Sequence, residues 1–277
     1  MILVTGPTGN IGRELVRLLV AQHVAVRALV RDLATPIDGV ELVRGDLDAP
    51  DTLDAALTGV DRVFLLAPGP NIAAQDLAVI AAAERAGVSH VVLVSSGGVS
   101  TGTGSGPAHQ PGEAALRASK LAWTILRPSE FMSNVLMSRD TIRGQGAFYA
   151  PTGGGRSAMI HPHDIAAVAA RVLTTPGHEG QIYELTGPEA LSRAELAGTL
   201  SEAIGRPITY IDIPDAVFRE QMAKAGAPAF LIDPVAKFYA LVKTGGAADI
   251  QSTIERITGA RPRRFNDWVR DHAAALR

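Results

Sequence analysis

The chain has 277 residues, 47% of them hydrophobic, no cysteine and a formal net charge of −2. The missing cysteine excludes disulfides, thiolate nucleophiles and cysteine-based zinc sites, and the near-neutral balance carries no electrostatic footprint for nucleic acid. The length suits one large α/β domain or a nucleotide domain with a smaller annex; no uncharged apolar run reaches the ~20 residues of a membrane span, and the first strand leaves no room for a signal peptide, so a cytoplasmic protein without membrane contact is expected.

The elements then follow in order. Ile2-Leu3-Val4 reads as a buried strand, Thr5 to Gly12 as a glycine-rich turn, Arg13 to Val20 as an amphipathic helix, and residues 24–30 as a second strand. This strand, turn, helix, strand order is a βαβ unit for gripping a dinucleotide. Gly6 turns the chain sharply out of the strand. Gly9 lets the backbone approach a pyrophosphate, and Gly12 lets the helix pack tightly on the strand. The phosphates then rest on the leading amides of the helix. Gly6, Thr8, Gly9, Asn10, Ile11 and Gly12 are therefore the expected pyrophosphate-binding residues.

Arg31 lies about 20 residues past Gly12, where the second strand meets the adenosine ribose. A guanidinium there forks onto a 2′-phosphate and favours NADPH. Asp32 follows directly, and pairing of the two on a solvated strand end leaves NAD open as the alternative.

Strands are expected over residues 40–43, 63–67, 91–94 and 123–126, with helices over 51–57 and 72–86, the second stopped by Gly87. Near-continuous apolar strands alternating with helices imply a parallel, doubly wound sheet. Ligands bind beyond the carboxyl ends of such strands. Gly6, Arg31, Asp46, Ala67, Ser95 and Pro128 should then surround one cleft. Asp46 with Leu47 brackets an adenine, or else Asp46 caps the next turn. Ala67 and Pro68 leave room for the ribose or nicotinamide. Ser95 and Ser96 orient the carboxamide or the substrate, or else cap the strand end. The segment from Pro128 to Asn134 is expected to wall the nicotinamide face, with Phe131 packed there or in the core.

Residues 97–112 read as a long Gly- and Pro-containing loop, either a mobile cover or disordered. Residues 144–157 read as a second Gly-rich loop. His161-Pro162-His163-Asp164 opens a helix to about residue 173. A strand over 181–186, a capping box from Ser192 to Glu195, a strand over 208–213 and a helix from Pro214-Asp215 follow. The rest is helical, with breaks near Gly226, Pro234 and Gly245-Gly246. The division is a nucleotide-binding domain over 1–150 and a smaller α+β substrate-binding lobe over 151–277, with a diffuse boundary and interleaved segments.

Val4 to Gly12 resembles the atypical short-chain dehydrogenase/reductases. So do Leu29-Val30-Arg31-Asp32, Val94-Ser95-Ser96, Leu126-Arg127-Pro128 with Phe131 and Asn134, His163-Asp164-Ile165-Ala166, Tyr183 to Gly187 and Thr258 to Pro262. The nearest subgroup is NmrA-like, similar to NAD(P)H:quinone oxidoreductases and triphenylmethane-dye reductases. The resemblance implies a Rossmann-like fold and a nicotinamide coenzyme. It admits two functions, a reductase and a non-catalytic NAD(P)-sensing regulator. An epimerase with bound NAD is a third, weaker reading.

The main short-chain dehydrogenases use a Tyr-x-x-x-Lys pair as proton donor, expected here near residues 105–120. No tyrosine stands there. Tyr239-x-x-x-Lys243 matches the pattern but lies beyond the nucleotide unit and reads as helix surface and core. His109-x-x-x-Glu113 occupies the expected region, and resembles a substitute found in the atypical group. A histidine titrates near neutrality and can supply a proton, so His109 is the candidate catalytic residue. Glu113 with Arg117 reads as an i,i+4 surface pair. Lack of a strong acid favours quinones, enones and imines, whose reduced products are delocalised or neutral, over simple ketones. Ser96, Phe131 and His163 are the candidate substrate contacts, and His161, His163 and Asp164 are read as a helix start and not as a metal site. The expected partner is a small-molecule substrate; the expected state is a monomer or homodimer.

Overall fold

The computed structural model describes residues 1–277. The elements run β1 (Ile2–Val4), α1 (Gly12–Ala21), β2 (Val26–Val30), β3 (Glu41–Arg44), α2 (Leu53–Leu57), β4 (Arg62–Leu65), α3 (Ile72–Ala86), β5 (His90–Val94), α4 (Gly106–Ala118) and β6 (Ala122–Pro128). They continue with α5 (Arg139–Gln145), β7 (Ala147–Ala150), β8 (Arg156–Ser157), α6 (Pro162–Thr174), β9 (Gln181–Leu185), β10 (Leu191–Ser192), α7 (Arg193–Ile204) and β11 (Thr209–Asp212). The last helices are α8 (Asp215–Lys224), α9 (Ala229–Lys243), α10 (Thr253–Thr258) and α11 (Phe265–Leu276).

The chain divides into two compact units that interleave in sequence. The first comprises Met1–Val99, Gly106–Arg127 and Pro162–Glu184; the second comprises Ser100–Ser105, Pro128–His161 and Leu185–Arg277. The first is built on a seven-stranded sheet in the order β3-β2-β1-β4-β5-β6-β9. The pairings from β3 through β6 are parallel. Strand order reverses between β1 and β4, which is the switch point where an α/β sheet takes its ligand. β1 is buried along its whole length, with Val4 beside Ala28 of β2 and Phe64 of β4. α1 buries Leu15, Val16 and Leu19 on one face, as its helical spacing dictates. α3 ends at Gly87, whose φ of +71° suits a residue without a side chain. Leu3, Leu65, Val91, Leu93, Leu116 and Ile125 belong to one apolar core of this unit.

The second unit holds two small sheets: β7 with β11, parallel, and β8 with β10, antiparallel. Its own core joins Met132, Phe148, Leu196, Leu200, Phe265 and Trp268. The Ser192–Glu195 capping box is formed, with the Glu195 amide donating to Ser192 Oγ and the Ser192 amide donating back to Glu195.

Three expectations from the sequence fail. Residues 106–112 are helix, not loop. Gly106 and Gly112 are sites of close approach: a Cβ on Gly106 would fall 2.1 Å from the Gly98 carbonyl carbon, and one on Gly112 would fall 2.3 Å from Asp76 Oδ2. Pro111 forfeits one helical bond near the amino end, and packing overrides that loss. The segment 144–157 contains β7 and β8. Pro234 lies inside α9 and does not end it. No helix is long and apolar enough to cross a membrane.

Candidate active site

The glycine-rich turn is tied to the end of β4, beside the switch point. The Thr5 amide donates to the Phe64 carbonyl at 3.1 Å, and Thr5 Oγ1 donates to the Leu66 carbonyl while accepting from the Leu66 amide. Gly6 has φ +60°. The Gly9 amide donates to the Gly6 carbonyl at 3.1 Å, and the Arg13 amide donates to the Gly9 carbonyl at 3.0 Å. A Cβ on Gly12 would fall 2.0 Å from the Gly6 carbonyl oxygen, so only glycine lets α1 start here. No side chain caps α1, and Thr8, Gly9 and Asn10 are exposed while Ile11 is buried. An uncapped helix start behind an exposed glycine turn fits a coenzyme pyrophosphate.

Arg31 is exposed at the end of β2. Asp32 is engaged elsewhere: its Oδ1 accepts from the Ala34 amide at 2.9 Å, closing a turn. Asp46 behaves similarly, its Oδ1 accepting from the Asp48 amide at 3.0 Å and its own amide donating to Thr52 Oγ1. Leu47 is buried in the core. Ala67 is buried just past β4, and Pro68 is exposed beside it.

Past the end of β5 the two serines separate. Ser95 is buried, and its Oγ donates to Glu113 Oε1 at 2.5 Å. Ser96 is half-buried, and its Oγ accepts from the Gly98 amide at 3.1 Å. Glu113 makes no surface pair with Arg117, contrary to expectation. It faces inward and takes a two-pronged contact from Arg127, Nε to Oε1 at 2.9 Å and Nη2 to Oε2 at 2.6 Å. Arg127 also reaches Glu184 on β9 at 3.2 Å. Burial by itself raises the Glu113 pKa, and the hydrogen bonds from Arg127 and Ser95 outweigh it, so the carboxyl sits below its usual value. Glu113 in turn raises the Arg127 pKa. This network fastens α4 to the carboxyl ends of β5, β6 and β9. A spacing rule for helix surfaces could not reveal it, since the partner is a strand residue 14 positions away.

His109 lies one turn before Glu113. It is 6% exposed, and Nδ1 is sealed from solvent with no hydrogen-bond partner. Burial pulls its pKa down to about 4, against a smaller opposing pull from Glu113. The expected near-neutral titration is thus corrected: at pH 7 the ring is neutral and offers one N–H. His163, at the start of α6, has Nδ1 2.9 Å from Glu14 Oε2 in the first turn of α1. Glu14 also takes Arg17 at 3.0 Å. Burial opposes ionisation of Glu14, and these two partners outweigh it, holding the carboxyl low.

Pro128 closes β6. In the second unit, Phe131 is half-buried and bridges in parallel to Ile160. Glu130 beside it accepts both oxygens' worth of contact from Arg193 Nη2 at 2.7 Å each, and Ser157 Oγ donates to it at 2.9 Å. The Arg193 guanidinium lies 5.5 Å from the Tyr239 ring centre. Burial pushes the Tyr239 phenol up to about 12. That is the reverse of the shift a lysine-activated proton donor needs.

The sequence pattern of the NAD(P)H-binding family matches residues 6–176. The chain is 42% identical to an NAD(P)H azoreductase of Xenophilus azovorans, over the whole chain and 99% of that protein. Its structure resembles the NADPH-dependent quinone oxidoreductase of Escherichia coli in complex with NADPH, with a TM-score of 0.86 at 29% identity, covering 97% and 98% of the two chains. It also resembles the Citrobacter sp. triphenylmethane reductase complexed with NADP(H), with a TM-score of 0.82 at 26% identity, covering 98% and 99%. A glycine cradle at the sheet's switch point, full-length relatives that are reductases, and neighbours seen with NADPH agree. The chain belongs to the NAD(P)H-binding family and is an atypical short-chain dehydrogenase/reductase that uses NAD(P)H to reduce small acceptors.

Proposed function

We propose that the acceptor is a conjugated, electron-poor organic molecule of the azo, quinone, enone or imine type, in a cytoplasmic protein acting as a monomer or homodimer. Gly6, Thr8, Gly9, Asn10, Ile11 and Gly12 hold the pyrophosphate of NADPH. Arg31, left free of Asp32 by the turn to Ala34, takes the 2′-phosphate. Asp46, Leu47, Ala67, Pro68, Ser95 and Pro128 line the coenzyme's course along the strand ends, and Ser96, Phe131 and His163 serve the substrate. Bound NADPH supplies hydride. His109 contributes the one N–H of its neutral ring.

The observation that carries this reading is His109 on α4. A buried neutral imidazole stands in the region where ketone-reducing relatives need an acidic tyrosine. Such a group is a weak proton donor, adequate for an acceptor that spreads the incoming negative charge and inadequate for a localised alkoxide. The names of the azoreductase, quinone and triphenylmethane relatives support the same acceptor class. The test is NADPH oxidation by the purified protein with an azo dye, a quinone, an enone, an imine and an unactivated ketone. Turnover of one or more of the first four without the ketone is expected; fast turnover of the ketone alone overturns the assignment.

A further inference from the structure

We infer that Arg193 is a specificity-determining positioning residue: from inside the second unit it grips Glu130 and so fixes where the ring of Phe131 stands against the acceptor. The inference rests on the reading of Phe131 as a substrate contact.

Arg193 opens α7, and its side chain is 1% exposed; that of Glu130 is 6% exposed. Nη2 of Arg193 donates to both carboxyl oxygens of Glu130 at 2.7 Å. Nη1 donates to Ser157 Oγ at 3.2 Å and lies 3.4 Å from Met159 Sδ. Ser157 Oγ donates in turn to Glu130 Oε2 at 2.9 Å. Nε of Arg193 is sealed from solvent with no partner, so the guanidinium is seated for Glu130 and Ser157 at the expense of that N–H. Its central carbon stands 5.5 Å over the Tyr239 ring centre, within cation–π range. The tyrosine of the Tyr239-x-x-x-Lys243 match thus covers a cation.

These contacts reach both sides of a short main-chain ladder. The Ile160 amide donates to the Glu130 carbonyl at 2.8 Å, and the Met132 amide donates to the Ile160 carbonyl at 2.9 Å. Ser129 Oγ donates to the Ala158 carbonyl at 2.6 Å. Phe131 is extended, with φ −78° and ψ 138°, so neighbouring side chains leave opposite faces of the segment. Glu130 points to Arg193. Met132, two residues on, is fully buried in the core that also holds Met159 and Leu196. Phe131 stands between them, leaves by the other face and is half-buried. Any twist that freed Glu130 would swing the Phe131 ring with it. Arg193 resists that twist, because a buried carboxylate without its cation is costly.

An ion pair this deep is a weak source of stability, since desolvation offsets much of the attraction. What it supplies is direction: the guanidinium holds Glu130 with one arm and the facing strand with the other. A ring that contacts a flat acceptor is sensitive to such direction, and a single misplaced apolar contact changes discrimination about tenfold or more. The more ring surface an acceptor lays on Phe131, the more its reduction depends on Arg193.

The test joins acceptor kinetics to a spectroscopic readout of Phe131. Glu130→Gln removes the charge and keeps the shape; Arg193→Lys keeps the charge and loses the second arm. With NADPH saturating, both should lower kcat/KM for a two-ring azo dye at least about tenfold, mainly through KM, and less for a one-ring quinone. The calorimetric Kd for NADPH should be unchanged. In a Phe131→Leu background neither substitution should lower kcat/KM further. In protein labelled with 4-fluorophenylalanine, the 19F line that is missing from Phe131→Leu should shift in both variants. Wild-type kcat/KM in the folded variants, effects that add to that of Phe131→Leu, or an unmoved Phe131 line overturns the inference. If the single variants do not fold, the paired replacement Arg193→Met with Glu130→Leu, which strands no charge, carries the same expectations. If Phe131→Leu itself reduces the dye as wild type does, the reading of Phe131 as a substrate contact fails and takes the inference with it. Impaired Phe131→Leu beside unimpaired Arg193 and Glu130 variants defeats the inference alone.

Discussion

Gly12, Arg31 and Asp76 show three ways in which one side chain, or its absence, sets behaviour. Gly12→Ala places a Cβ against the Gly6 carbonyl. The resulting overpacking costs about 1–3 kcal/mol, and the displaced turn should weaken NADPH at least about tenfold in a fluorescence titration. Arg31→Glu should weaken NADPH about 10–100-fold, the equivalent of losing charged hydrogen bonds of about 1.5–3 kcal/mol, while NADH binding changes little. Equal loss for both coenzymes would remove Arg31 from the 2′-phosphate. At Asp76 the folded pKa is raised to about 7 from an ordinary 3.8. Its neutral form favours the fold below the ordinary value, and that contribution is lost as pH rises through about 7. The full swing is on the order of 4 kcal/mol. Melting of wild-type protein should fall between pH 5 and pH 8 more than melting of Asp76→Asn, which cannot ionise.

At the scale of elements, α4 is the piece that the rest of the first unit holds in place. Its glycines press it against α3 and the turn after β5, and Glu113 bolts it to Arg127. Glu113 titrates with the opposite sign to Asp76. Its pKa is lowered in the fold, so its contribution is present above the ordinary carboxylate value and is lost as pH falls through the lowered one. Arg127→Leu strands a buried carboxylate and should cost about 3–5 kcal/mol in urea unfolding, with part of the loss recovered at acid pH as Glu113 protonates. A variant as stable as wild type would show that α4 is held by packing alone. Spacing within α4 suggested a surface pair of Glu113 with Arg117; burial and a strand partner decided otherwise.

At the scale of the whole molecule, the chain leaves its first unit and returns to it, since Pro162–Glu184 supplies α6 and β9 to the sheet unit. α6 packs on α1, and His163 joins the two through Glu14. A ligand that binds only the folded state should stabilise it by about 2.7 kcal/mol at 100 times its Kd. NADPH should therefore raise the melting temperature of the intact chain, and Arg31→Glu should blunt that rise.

The amino-acid sequence by itself determined the features that depend on near neighbours. The strand, the glycine turn and the amphipathic helix at the amino end, the alternation that makes a parallel sheet, the Ser192–Glu195 cap and the stop at Gly87 all follow from backbone freedom and hydrophobic period. Such signals are local, so a few residues suffice to carry them. Tertiary structure alone decided that Gly106 and Gly112 lie within a helix, that Ser95 turns inward to Glu113 while Ser96 stays half-exposed, and that burial holds His109 neutral and raises the Asp76 pKa to about 7. Each of these depends on which distant surface comes to lie against the residue, because the cost of a Cβ, a charge or an unpaired proton is set by the neighbours that folding brings.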